Sequence, residues 1–334
     1  MRTDDQAAED DRGQRGTQSK QGRSGESTIT VLVAMLANLG VALAKTFVAL
    51  LTGSASMLAE AAHSWADTGN EVLLLVADKK SRRPPDDSHP LGYGREAYVW
   101  SLLAAMGLFF AGAVVSVWHG ITQLVGGSAA EESPPFLWAY IVLAVSFVFE
   151  FVSFVRGFKQ THHEASRADK DLFTYALETS DPTLRAVIAE DTAALIGLVI
   201  AGVGVALHQV TGNPVYDAAG SILIGLVLGV VAVVLINQNR RFLTGQETDD
   251  GLRNAALEEI CGLPEVARVT YLRLEFVGPR QVLLVASIDL EGDAAESEVA
   301  TTLRRLEHQL EEQGHITEAV LTLSAPDEAT LGRR

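Results

Sequence analysis

The sequence holds a single cysteine, Cys261, among its 334 residues. An intrachain disulfide is therefore impossible, and a metal site made of several thiolates from one chain is excluded. Basic residues are scarce beside acidic ones, with 26 Lys and Arg against 42 Asp and Glu. The resulting net charge of −16, much of it in residues 246–334, predicts that nucleic acid is not a partner.

Six stretches of the chain are long and predominantly apolar. A helix needs roughly 20 mostly apolar residues to cross the hydrocarbon core of a bilayer. Water is absent there, so each crossing segment must satisfy its own backbone as a helix. The sequence therefore predicts a membrane all-α bundle of six transmembrane helices, covering residues 28–51, 55–77, 97–125, 135–155, 183–207 and 215–237.

The loops between these spans differ in their basic residues. The side expected to be cytosolic carries Lys79, Lys80, Arg82, Arg83, Arg95, Arg156, Lys159, Arg167, Lys170, Arg240 and Arg241. The opposite loops carry no Lys or Arg, and one of them holds Glu131 and Glu132. The positive-inside rule then predicts a multi-pass protein of the cell inner (plasma) membrane with both termini cytosolic. Residues 1–27 are polar and Gly-rich without a continuous apolar segment, so a disordered cytosolic tail is expected there.

The pattern changes after the sixth span. Helical periodicity at 249–261 and 296–313 alternates with strand-like alternation at 266–276, 281–290 and 316–323. This α-β-β-α-β order predicts a small cytosolic α+β domain with helices on one face of a sheet. The predicted division of the chain is a tail (1–27), a transport domain (28–243), the α+β domain (246–326) and a short tail (327–334).

Ionisable residues inside membrane spans are costly and commonly functional. In the second span His63 and Asp67 lie four residues apart, so both lie on one helix face, and Glu60 and Asn70 continue that stripe. An imidazole nitrogen and a carboxylate oxygen one turn apart provide half of a tetrahedral Zn²⁺ site. The alternative is a hydrogen-bonded pair used only for helix packing, and the cost of two unpaired polar groups in a membrane favours the metal site.

The fifth span contains adjacent carboxylates, Glu190 and Asp191. Adjacent helical residues point about 100° apart, so at most one aims straight at the second span. Asp191 is the first choice as a metal ligand and Glu190 the second. In the alternative, Glu190 faces a polar cavity and Asp191 pairs with Lys45.

Three other ionisable residues have supporting roles in this interpretation. Lys45 in the first span and Glu150 in the fourth are expected to pair with each other or to snorkel. Asp217, at the start of the sixth span, is expected to cap that helix.

Several runs of residues resemble the cation diffusion facilitator family of proton-coupled zinc and manganese carriers. They are GSASMLAEAAHSWADTGNEVLLL and SHPLGYGREAYVWS, followed by DPTLRAVIAEDTAALIGLVIAG and TGNPVYDAAGSILIG, which are most similar to the branch of animal mitochondrial zinc exporters. The motifs recur in the same order and spacing over all six spans. The resemblance implies a homodimer whose cytosolic domains have a ferredoxin-like fold.

The same resemblance implies a transport site at His63, Asp67 and Asp191, three of the four usual ligand positions. The fourth position is Val187, where many relatives have His or Asp, so Glu190, Asn70 or water completes the shell, or three protein ligands suffice.

A second site of the family, in the loop after the second span, would use Asp86 and His89, with Tyr93 where metal-binding relatives often have His. A turn cap at Asp86 is an equal alternative.

The expected function is export of a divalent cation from the cytosol in exchange for protons. Zn²⁺ is the first choice for the transported ion, and no bound cofactor is expected. Metal binds deprotonated carboxylates and neutral imidazole, so its binding releases protons, and His63 is the natural proton acceptor after release. Mn²⁺, Fe²⁺ and Co²⁺ stay open as cargo, as does a membrane scaffold without transport. The chain lacks an HExxH motif, which argues against a metalloprotease, and tight His and carboxylate ligation argues against a channel.

Overall fold

The computed structural model describes residues 35–126, 136–167 and 170–333. The expected tail at 1–27, the first part of the predicted first span, and Glu131 and Glu132 lie outside these ranges. The helices before the sheet are α1 (Met35–Thr52), α2 (Ala55–Ser81), α3 (Glu96–Gly126), α4 (Phe136–Arg167), α5 (Leu172–Glu178), α6 (Pro182–Thr211) and α7 (Val215–Leu243). After them come α8 (Asp250–Cys261), β1 (Val266–Gly278), β2 (Gln281–Leu290), α9 (Glu296–Glu311) and β3 (Ile316–Leu323).

Five helices of the described chain are long and apolar enough to cross a membrane, namely α1, α3, α4, α6 and α7. The chain is thus a multi-pass membrane protein with a helical membrane domain. Helix α2 has 27 residues but does not join this group, because Glu60, Asp67 and Glu71 interrupt its apolar sequence. Helix α4 runs well past residue 155, the predicted end of its span, so residues 162–164 are part of the same long helix.

The helix ends follow local capping chemistry. The hydroxyl of Ser54 accepts a hydrogen bond from the backbone N–H of Met57 and so caps α2. Asp181 caps α6 in the same way, with Pro182 at its first position. Gly212 ends α6 with a φ of 68°, in the left-handed region that glycine enters without steric cost.

Helices α3 and α7 pack through small residues. A Cβ atom added at Gly120 would lie 2.8 Å from the carbonyl oxygen of Ala218, and one at Gly225 equally close to the carbonyl oxygen of Ala113. The hydroxyl of Ser221 donates to the carbonyl oxygen of Ser116 at 2.8 Å. Small residues allow this close backbone approach, which replaces hydrophobic association between helices in lipid. Within α3, Leu108–Val114 form a π-helical segment, a feature common near functional sites.

The C-terminal unit has the α-β-β-α-β order expected from the sequence, and its small sheet has the strand order β1-β2-β3. Strand β2 pairs antiparallel with β1 and parallel with β3, so α9 provides the crossover that a parallel connection needs. Alternate residues of β2 are buried in one core with Leu257 and Ile260 of α8 and Leu306 and Leu310 of α9. Both helices therefore cover the same face of the sheet.

The turn between β1 and β2 contacts the bundle where α2 ends and α6 begins; this is called the sheet end here. A Cβ atom at Gly94 would lie 2.6 Å from the carbonyl oxygen of Val277. Arg280 donates its backbone N–H to the hydroxyl of Ser180 at 3.1 Å and its guanidinium to Glu164 on α4 at 2.9 Å. The turn is thus held against the bundle by close backbone packing and charged hydrogen bonds.

The opposite end of the bundle, called the far end here, is closed by Asp217. Its carboxylate is fully buried and accepts hydrogen bonds from the Ser54 hydroxyl at 2.8 Å and from the backbone N–H groups of Ala55 at 2.6 Å and Ser56 at 3.3 Å. The expectation that Asp217 caps its own helix is wrong. It satisfies the free N–H groups at the start of α2, where the helix dipole also favours a negative charge.

Replacing Asp217 by alanine should therefore leave buried N–H groups of α2 without an acceptor. We expect a loss of about 1–3 kcal/mol in the free energy of unfolding, and a smaller loss for Asp217→Asn, which keeps one acceptor oxygen. Thermal unfolding of the purified full chain measures both. Asp293→Ala removes an exposed carboxylate and serves as the control. An Asp217→Ala protein that unfolds at the wild-type temperature would contradict this role.

Candidate metal centre

The polar stripe of α2 is buried in the bundle. His63 is only 1% exposed, and its Nε2 lies 3.4 Å from Oδ2 of Asp67 one turn later. Neither ring nitrogen of His63 has a hydrogen-bond partner in the described part of the chain, nor does Oδ1 of Asp67. The expected pair of His63 and Asp67 is thus present. Its imidazole nitrogens and one carboxylate oxygen make no hydrogen bond in the described chain, and atoms of these types can coordinate a metal ion.

Helix α6 directs its two carboxylates to different neighbours. The amide of Asn70 on α2 donates a short hydrogen bond to Glu190. Asp191 instead accepts from the hydroxyl of Ser153 on α4 at 2.8 Å. The direct contact between α6 and the α2 stripe is therefore made by Glu190, whereas Asp191 contacts α4.

These side chains share one cavity of about 400 Å³ between α1, α2, α4 and α6. Its charged and amide-bearing wall residues are Asn38, Asp67, Asn70, Glu71, Glu150, Arg156, Glu190 and Asp191. His63 is not among the lining residues, and Val187 provides an apolar patch where the usual fourth ligand would be. Four predicted site residues, Asp67, Asn70, Glu190 and Asp191, are thus brought to one space.

The cavity does not hold a finished ligand set. Within residues 35–126, 136–167 and 170–333, no three His, Cys, Asp or Glu side chains converge closely enough to hold a metal ion. The ligand roles of His63, Asp67, Asp191, Glu190 and Asn70 accordingly stay predictions.

A second buried network lies one turn nearer the far end on α2. The ammonium group of Lys45 donates to Glu60 at 2.9 Å and to the hydroxyl of Ser64 at 2.8 Å, and both Lys45 and Glu60 are fully buried. Lys45 therefore neither pairs with Glu150 nor snorkels, and it does not pair with Asp191. The four-residue spacing puts Glu60 and Ser64 on one face of α2, but the sequence did not indicate that this face meets Lys45.

A larger cavity of about 760 Å³ lies between the bundle and the sheet unit. It shares Glu71, Leu74 and Val187 with the first cavity, and its opposite wall includes Pro279, Arg280 and Gln281 of the β1–β2 turn. The carboxylate of Glu71, where the cavities meet, accepts from Asn38 at 2.5 Å through one oxygen. The two cavities thus adjoin at these shared residues and together extend from the sheet end to the polar stripe. Sequence reasoning did not find Glu71 or Arg280, because their importance depends on how distant segments pack.

The loop after α2 forms a tight turn. Asp86 accepts hydrogen bonds from the backbone N–H groups of Ser88 and His89, both at 2.9 Å, and from the hydroxyl of Tyr93 at 2.7 Å. The hydrogen bond from the Ser88 hydroxyl, followed by that from Tyr93, holds the pKa of Asp86 well below its usual range. The ring of His89 stacks on Tyr93 with centroids 3.9 Å apart. These contacts match the turn-cap alternative, and metal binding by Asp86 and His89 stays a prediction.

Comparison with known proteins adds an independent observation. Residues 31–244 match the family model described as the cation efflux transmembrane domain. The chain is 35% identical over 243 residues to the mitochondrial proton-coupled zinc antiporter SLC30A9 of Mus musculus, covering 73% of this chain and 42% of that protein. The human protein of the same name is 34% identical over 243 residues, which cover 73% of this chain and 42% of that protein.

A plant protein gives a similar result. Metal tolerance protein C4 of Arabidopsis thaliana is 35% identical over 236 residues, which cover 71% of this chain and 51% of that protein. The chain thus matches about half or less of the length of these curated relatives. The family model matches well over half of this chain, and the matched region contains the whole polar stripe and both carboxylates of α6. The chain therefore belongs to the cation diffusion facilitator family.

Proposed function

We propose that this protein carries a divalent cation, Zn²⁺ first, out of the cytosol in exchange for protons. The observation that supports this most directly is the cavity in which Asp67, Glu190 and Asp191 from two helices meet beside buried His63. The two animal relatives are named as proton-coupled zinc antiporters, and the plant relative is named for metal tolerance. The mixed nitrogen and oxygen donors suit Zn²⁺, and Mn²⁺, Fe²⁺ and Co²⁺ remain as alternative cargo.

The proposed architecture has six spans, namely the five long apolar helices and α2. Asp67 and Glu71 of this 27-residue helix face a protein cavity, and Glu60 is paired with Lys45. The helix is compatible with the membrane, because these acids avoid lipid. The transport domain is residues 28–243, and residues 246–326 are a cytosolic domain with a ferredoxin-like fold. Two copies form a homodimer in the plasma membrane, with all termini in the cytosol.

The two ends of the bundle support a carrier cycle. The route from the sheet end reaches the polar stripe, whereas Asp217 and the start of α2 close the far end. In the proposed cycle the ion enters from the cytosolic sheet end, binds between α2 and α6, and leaves once the far end opens. A carrier opens its binding site to one side of the membrane at a time, and this distinguishes it from a channel.

The excess of acidic over basic side chains in the cavity supports coupling of transport to protons. Five acidic side chains line it, and Arg156 is the single Lys or Arg among its lining residues. Five ionised carboxylates in so small a space within a membrane are electrostatically too costly, so some hold protons until a cation replaces them. His63 is assigned as a proton acceptor after the metal leaves, because neither of its ring nitrogens has a hydrogen-bond partner in the described chain.

The ligand set is tested by single substitutions in proteoliposomes with an imposed pH gradient. His63→Ala, Asp67→Asn and Asp191→Asn should each reduce zinc uptake by at least the roughly 10–100-fold that loss of a supporting residue around a metal causes. Glu190→Gln should lower zinc affinity as much as Asp191→Asn if Glu190 completes the shell, and little if it only lines the route. Glu298→Gln, on the exposed surface of α9, is the control.

Wild-type uptake rates in both Asp67→Ala and Asp191→Ala would mean that the proposed site does not exist. The membrane scaffold without transport would then be the better interpretation. A competition series with Mn²⁺, Fe²⁺ and Co²⁺ in the wild-type vesicles assigns the cargo.

Val187→His tests the missing fourth ligand separately. Val187 lines the cavity beside Glu190, so an imidazole there should add a donor and lower the Kd for zinc. Turnover should fall, since a ligand present in both inward-facing and outward-facing states deepens binding without easing release. Val187→Leu, of similar polarity, is the control. Equal zinc affinity in the histidine and leucine variants would place position 187 outside the metal shell.

The orientation is tested with the single native cysteine. Cys261 is exposed in the C-terminal unit, so an impermeant maleimide should label it only after intact cells are permeabilised. A Cys261→Ser protein carrying Ser128→Cys, between the third and fourth spans predicted from the sequence, should be labelled without permeabilisation. Labelling of Cys261 in intact cells would reverse the proposed topology.

A further inference from the structure

Glu150 on α4 lines the 400 Å³ cavity without a partner of its own. No described residue forms a hydrogen bond or an ion pair with its carboxylate, although Arg156 lies in the same wall. Lys45, the partner expected from the sequence, instead donates hydrogen bonds to Glu60 and Ser64. Intramembrane carboxylates are rarely left without a cation unless they serve in transport or proton transfer.

Asn70 provides a second observation in the same cavity. Asn70 is 3% exposed, donates its amide to Glu190, and leaves its carbonyl oxygen without a partner in the described chain. A buried amide oxygen facing a polar cavity is costly unless an ion or water binds it. The space around Glu150 is therefore suited to an occupant that brings positive charge.

The charged groups around Glu150 come from four helices. They are Lys45 on α1, Glu60, His63, Asp67 and Glu71 on α2, Arg156 on α4 itself, and Glu190 and Asp191 on α6. The charge of Lys45 is already balanced by Glu60, so acids dominate what remains. Glu150 therefore lies in a cavity with more acids than bases, where a cation that enters can replace a proton on its carboxyl group.

We propose that Glu150 carries one of the coupling protons. The carboxyl group holds a proton while the cavity is empty and passes it to water at the sheet end when the metal ion enters. After the metal leaves through the far end, the carboxylate takes a proton from water on that side. One proton thus moves inward for each ion moved outward through this group. This inference rests on the proposed function and adds a residue to it that is not a metal ligand.

The test uses Glu150→Gln, which keeps the shape of the side chain and removes the titrating group. Protons released per zinc bound are measured with a pH dye in weakly buffered detergent solution. We expect the number to fall by about one relative to wild type, with a correspondingly weaker dependence of zinc Kd on pH. Glu150→Asp, which keeps a carboxyl group, should release as many protons as wild type, and Glu298→Gln is the matched control on the exposed surface of α9.

Vesicle assays separate coupling from binding. Glu150→Gln should still exchange external for internal zinc without a pH gradient, whereas an imposed gradient should accelerate its uptake less than that of wild type. Unchanged proton release in Glu150→Gln would overturn the proposal. So would a loss of zinc binding as severe as in Asp67→Asn, because Glu150 would then be a ligand. If the wild-type protein itself neither binds nor moves zinc, the proposed function fails before Glu150 is tested.

Discussion

The cost of placing charge inside an apolar bundle governs how this protein is organised. Each intramembrane ionisable group must find a partner, a cavity or a proton. Lys45 and Glu60 satisfy each other across α1 and α2 at 2.9 Å, with Ser64 as a third member. Among the described residues no Lys or Arg pairs with Asp217, and its carboxylate accepts hydrogen bonds from the N–H groups at the start of α2. The acids that remain line one cavity, where their negative charges can attract a divalent cation.

Close approach of the helices makes these contacts possible. A Cβ atom at Gly197 would lie 2.5 Å from Oε1 of Glu60, so glycine at this position lets α6 pass the buried ion pair without displacing the Glu60 carboxylate. Likewise, Gly204 and Gly220 border the hydroxyl of Ser56 at the far end. Such glycines let backbones meet in lipid, where hydrophobic association contributes little. The far-end closure and the ion pair thus depend on the same feature of the sequence.

The sheet unit forms part of the route into the bundle. The β1–β2 turn contributes Pro279, Arg280 and Gln281 to the wall of the larger cavity. Arg280 has a φ of 58°, an uncommon value for a residue with a side chain, and Glu164 and Ser180 hold it there. Movement of the sheet unit would therefore change the wall of the cavity that adjoins the polar stripe of α2.

The sequence by itself determined the apolar spans, the α-β-β-α-β order and the polar stripe on α2. Each of these depends on periodicity or composition within one segment, which local spacing records directly. The partners of the buried charges were decided by tertiary structure. Nothing in the local sequence favoured Glu60 over Glu150 for Lys45, or α2 over α7 for Asp217, since these pairings depend on how helices rotate and approach. For the same reason the contact of Glu190 with Asn70, and of Asp191 with Ser153, required the packed bundle: adjacent residues on a helix point in different directions, and only neighbouring helices decide which direction faces the site.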